Sequence, residues 1–104
     1  MKIAITSKGN EITSEMDPRF GRSGYIAIYD TETGTTEFIE GEGKNQQSGA
    51  GPKAAEMIAN TGAKKIFSGH FGPKAKSALE SFGIEMISLK DEGKTIEELI
   101  SKFK

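Results

Sequence analysis

At 104 residues the chain has the size of one domain, and with apolar residues at 35% its core must be small. Fourteen Lys and Arg against fifteen Asp and Glu leave a formal charge of −1, without the basic excess of a nucleic-acid or acidic-membrane binder. Cysteine is absent, which excludes disulfides and thiolate metal ligands, and no apolar run approaches bilayer length, so a soluble cytoplasmic protein is expected.

Lys2 to Ser7 (KIAITS) is short, β-branched and bounded by Lys8-Gly9-Asn10, which predicts a buried strand rather than a signal peptide. Gly9 to Gly24 is polar and long for a loop, a length usually associated with function or disorder. Within it, Met16 is expected to be free to face a ligand, whereas Met57 and Met86 fall in core-like patterns. Tyr25 to Tyr29 and Thr35 to Glu40 read as two further strands, and the glycine-containing turn between them predicts a hairpin. Gly41 to Gly51 is again polar and flexible in composition.

Alternation then sets in. Pro52 to Asn60 predicts a helix with Ala54, Met57 and Ile58 on one face, and Lys65 to Ser68 a strand. Pro73 to Phe82 is a helix with Ala75, Ala78, Leu79 and Phe82 at i, i+3, i+4 and i+7. Ile84 to Leu89 is a strand, and Thr95 to Phe103 a closing helix with Ile96, Leu99, Ile100 and Phe103 in the same spacing. Gly62 and Gly83 stand where C-terminal glycines belong.

The order β-β-β-α-β-α-β-α predicts a single α/β domain over residues 1–104. Right-handed crossovers make strands three, four and five parallel, and the hairpin reverses strand two, giving a five-stranded mixed sheet. The segments after strands one, three and four then leave one edge of the sheet, the edge where open α/β sheets bind ligands.

Two sets of residues on that rim have chemical content. Asp17-Pro18-Arg19-Phe20-Gly21-Arg22 combines two guanidinium forks with an aromatic ring, suited to a flat anion. The alternative is an Asp-Pro turn in which Arg19 or Arg22 pairs with Asp17 and Phe20 tucks under the loop. Gly-Pro-Lys-Ala occurs twice, at 51–54 and 72–75, and each copy reads as a helix start with proline at the first helical position. Two adjacent starts, with Lys53 and Lys74, would favour an anion, and Gly49, Gly51, Gly69 and Gly72 would permit close backbone approach. Taken singly, each copy reads as architecture, and only their convergence on one rim points to binding. His70, the one histidine, is a candidate metal ligand or proton carrier.

Other chemistries fail on spacing. Gly49 to Ala54 fits G-x-G-x-x-A, but the preceding strand ends too early and no acidic residue follows at the ribose-binding distance. A phosphate-binding P-loop fails because Phe38 stands where its first glycine is required. Strands one and four carry no carboxylate for a two-metal nuclease, and no nucleophile–base set is present. The chain is therefore expected not to be an enzyme.

The Asp17–Arg22 loop after an N-terminal strand resembles the xRFGR signature of the dinitrogenase iron–molybdenum cofactor biosynthesis family, the NifX-like and NifB C-terminal-like group. The later Gly69-x-x-Gly72-Pro73-Lys74-Ala75 run, with Leu79 and Gly83-Ile84 behind it, resembles it too, so the likeness extends over essentially the whole chain. The resemblance implies a sheet of the ribonuclease H-like motif. It also implies binding or carriage of an iron–sulfur or iron–molybdenum cluster precursor, with a protein partner in cofactor assembly. Cluster-binding members can use cysteine or histidine, whereas here only His70 is present. A polyanionic cluster would then be held by backbone N–H groups with Arg19, Arg22, Lys53 and Lys74. A phosphate- or nucleotide-binding module and a protein-interaction adaptor are the alternatives on the same rim.

Overall fold

The computed structural model describes residues 1–41, 50–90 and 93–103. Five strands form one sheet: β1 (Lys2–Ser7), β2 (Tyr25–Asp30), β3 (Thr36–Glu40), β4 (Lys65–Ser68) and β5 (Glu85–Ser88). Their spatial order is β3-β2-β1-β4-β5. β2 pairs antiparallel with both β1 and β3, while β1–β4 and β4–β5 are parallel, so β2 is the one reversed strand. The C-terminal ends of β1, β3, β4 and β5 therefore share an edge.

Period-two alternation along β1 and β4 splits the core between two faces. Ala4 and Ile66 face a cluster with Ala54, Ala55 and Ile58 of α1 (Ala50–Thr61) and Ala75 and Leu79 of α2 (Pro73–Ser81). Ile3, Ile5 and Phe67 face the other way, onto Ile96, Leu99 and Ile100 of α3 (Ile96–Ile100). Two helices cover one side and one covers the other.

Two predicted helices are corrected at their ends. α1 begins at Ala50, so Gly51 lies inside it and Pro52 is its third residue, not its first. A proline there loses nothing, because first-turn N–H groups have no partner within the helix. α2 starts as expected, with Gly72 as N-cap and Pro73 first. α3 is shorter than its apolar pattern. Thr95 caps it in a reciprocal box with Glu98, and after Ile100 the chain tightens into a 3-10 turn, Ser101–Phe103. Phe103 stays 37% exposed but meets Phe67 edge-on at 5.2 Å.

Candidate functional site

The long loop after β1 is fastened along much of its length. Lys8 N–H donates to Glu15 O at 3.0 Å, Met16 N–H to Lys94 O at 2.9 Å, and Asp17 N–H to Thr6 O at 2.9 Å. The buried hydroxyls of Thr6 and Ser68 both donate to the carbonyl of Asp17, at 2.5 and 3.3 Å. Met16, expected to be free for a ligand, is instead 2% exposed and packs with Ile3, Ile5 and Phe67. Its polar neighbours in sequence concealed a bridge pairing with Ser7 that turns it inward.

Asp17 is buried, and its carboxylate accepts from the Arg19 amide at 3.0 Å and from Arg19 Nε at 3.3 Å. That is the turn weighed as an alternative above: Asp17 is used in holding the loop, and Phe20 is tucked beneath it, 7% exposed. The loop then joins the end of β4. His70 N–H donates to Pro18 O at 2.7 Å, and Phe20 N–H to His70 O at 3.1 Å. Glycine at 69 is dictated by crowding, since a Cβ there would stand 2.8 Å from Pro18 Cβ.

The same loop is pressed against both helix starts. Gly21 adopts φ 91°, which side chains rarely tolerate, and a Cβ on it would lie 3.1 Å from Gly51 Cα. A Cβ on Gly51 would in turn stand 2.7 Å from Ala75 Cβ. Gly21, Gly51 and Ala75 are thus stacked backbone on backbone. This stack brings three segments far apart in sequence to one place.

Above it lies an open cleft of about 300 Å³ lined by Phe20, Arg22, Ala50, Gly51, Pro52, Gly72, Pro73, Lys74 and Ala75. Neither α1 nor α2 carries an acidic residue in its first turn, so no first-turn carboxylate offsets the positive end of either helix dipole. Gly72 supplies no capping side chain to α2. Its φ of −72° and ψ of 165° suit any residue, and nothing lies within 4 Å of where its Cβ would be. Of the described glycines, Gly72 alone has both a negative φ and open space.

The predicted single rim is divided. Phe20 and Phe71 stack at 5.2 Å and 39°, and beyond them is a second cavity of about 360 Å³, lined by Gly69, His70, Phe71, Lys76, Met86 and Ser88. Phe20, Arg22, Gly51, Gly72 and Lys74 are therefore brought together, while Gly69 and His70 lie across the rings. Asp17, Arg19 and Lys53 line neither depression, and Gly49 lies outside the described residues. Lys76, Met86 and Ser88 were missed. Lys76 reads in sequence as a solvated helix position, and the other two lie on an edge strand whose neighbour is not adjacent in the chain.

The donors around the first cleft are amides, a guanidinium and an ammonium, a set that holds an anion by hydrogen bonds and charge without entering a metal's coordination shell. Among the described residues no three His, Cys, Asp or Glu side chains are grouped to hold a bare metal ion.

Comparison with known proteins gives the same outline. A family model described as dinitrogenase iron–molybdenum cofactor matches residues 1–104. An uncharacterised protein of Methanocaldococcus jannaschii is 35% identical over 89 residues, 83% of this chain and 72% of that protein. The apo form of the orange protein from Desulfovibrio gigas superposes with a TM-score of 0.91 at 33% identity, covering 98% of this chain and 85% of that one. A NifB-type Thermotoga protein of the DUF35 family gives 0.83 at 31% identity, with coverage of 98% and 85%.

Proposed function

The chain belongs to the dinitrogenase iron–molybdenum cofactor family, and from that premise we propose that it is a non-catalytic carrier of an anionic iron–sulfur or iron–molybdenum cluster precursor. The cluster is cargo. It sits in the cleft formed by Phe20, Arg22 and the first turns of α1 and α2. Arg22 and Lys74 supply charge at its edge, and Lys74 and Ala75, whose N–H groups have no partner within the first turn of α2, line it. Arg19 and Lys53 contribute field from farther out. His70, across the aromatic pair, has no ligand role in this reading.

The observation that carries the proposal is Gly72. Neither backbone conformation nor packing asks for glycine there, and its N-cap place would be filled better by Ser, Asn or Asp, whereas a ligand seated on the helix start favours glycine, because a side chain there would compete with it for the amides. The orange protein, a relative with an apo form, lends support from outside.

Thermal unfolding under anaerobic conditions tests it. A synthetic anionic iron–sulfur cluster, inorganic phosphate and ATP are added in turn. At a hundredfold excess over Kd a bound ligand stabilises by about 2.7 kcal/mol, a rise in Tm on the order of 10 °C for a domain of this size. The rise is expected with the cluster and not with phosphate or ATP. A rise with phosphate or ATP alone would make the protein a phosphate- or nucleotide-binding module instead, and no rise with any of the three would remove the carrier reading.

A further inference from the structure

The second cavity, between the β4–α2 connection and β5, has walls of two kinds. Phe71 and Met86, both half-buried, bring an aromatic ring and a thioether. Such surfaces prefer an aromatic partner to an aliphatic one, through offset stacking and sulfur–ring contact. Lys76 and His70 are exposed side chains of the same lining and bring an ammonium and an imidazole. Ser88 donates its hydroxyl hydrogen to Gly69 O at 2.7 Å, which leaves its oxygen able to accept.

This lining selects against other ligands. It contains no carboxylate, so a cation would meet the Lys76 ammonium without a counter-charge. An inorganic oxyanion would use the ammonium but leave the apolar wall wet. A flat ring carrying one carboxylate uses both, and about 360 Å³ lies within the range of small-molecule sites. We propose that this cavity is a separate binding site for a small aromatic carboxylate, its ring against Phe71 and Met86 and its carboxylate at Lys76. No lining residue is shared with the cluster cleft, so the two sites stand or fall separately.

The test is an amide chemical-shift titration of the full chain with benzoate, with benzamide and cyclohexanecarboxylate as controls for charge and ring. Benzoate is expected to move the amides of Gly69, His70, Phe71 and Ser88 in a saturable way and to bind more tightly than either control. Lys76→Ala should weaken it about two- to fivefold, the size of one exposed ion pair, and Lys76→Arg should restore it. The double variant Arg22→Ala with Lys74→Ala should bind benzoate like the wild type. Movement confined to the amides of Arg22, Gly51 and Gly72, equal binding of cyclohexanecarboxylate, or no response up to the solubility limit would each overturn the proposal. None of these results bears on the cluster, whose titration reads Arg22 and Lys74.

Discussion

Gly51→Ala puts a methyl group where the two helix starts touch. Its carbon would stand 2.7 Å from Ala75 Cβ and 3.1 Å from Ala75 Cα, and neither atom can swing aside as the end of a long side chain could. Overpacking of this kind costs about 1–3 kcal/mol, of which alanine's better helix propensity offsets roughly 0.5–1 kcal/mol. The net loss is on the order of 1 kcal/mol, about 4 °C in Tm for a domain near 100 residues. Urea and thermal unfolding of Gly51→Ala, Ala75→Gly and the double variant measure it. Ala75→Gly alone should cost about 1 kcal/mol in helix propensity. Because it vacates the space the new methyl needs, the double variant should be more stable than the two single losses predict, by at least about 0.5 kcal/mol of coupling. A strictly additive double variant, or a Gly51→Ala protein as stable as wild type, would refute the stacked arrangement of loop and helices.

Other substitutions separate packing from binding. Gly72→Ala should change stability by less than about 1 kcal/mol, since its backbone conformation suits alanine and the unfolded chain loses entropy while alanine is the poorer N-cap, yet weaken anaerobic cluster binding; unfolding and titration of the same sample check both. Asp17→Ala leaves the Arg19 amide without its acceptor in a buried turn and should cost about 1–3 kcal/mol by urea unfolding, whereas Arg19→Ala, whose side chain is 70% exposed, should cost less than about 1 kcal/mol. The Thr95 backbone N–H and then its side chain hold the Glu98 carboxyl below the ordinary glutamate range. A lowered folded-state value stabilises at pH above the unfolded value and loses that stabilisation as pH falls through the folded one. Wild type should therefore lose stability in that acid window more steeply than Glu98→Gln, as followed by Tm against pH.

The elements were largely legible because each carries its own period. β1 and β4 are β-branched runs, α2 and α3 repeat apolar residues at helical spacing, and the Asp30–Gly34 turn marks the hairpin that reverses β2. That the segments carrying Phe20, Arg22, Gly51, Gly72 and Lys74 meet at one edge followed from topology, since parallel strands send their loops the same way, but topology placed Gly69 and His70 there equally. What stayed hidden depends on contacts between distant segments. Gly51 looks like a helix boundary until Ala75 is seen against it, and Met16 looks solvated until the loop bridges back to Ser7. The Phe20–Phe71 contact that splits the rim links two loops, and loop-to-loop packing has no period to betray it.

The most direct measurement is iron retained through anaerobic gel filtration after loading with the synthetic iron–sulfur cluster, for wild type and for Arg22→Ala combined with Lys74→Ala. Wild type should elute with bound iron, and the double variant should lose most of it while still unfolding in one cooperative transition. Equal iron on both proteins, or none on wild type, would contradict a cluster held in the cleft above Gly51 and Gly72.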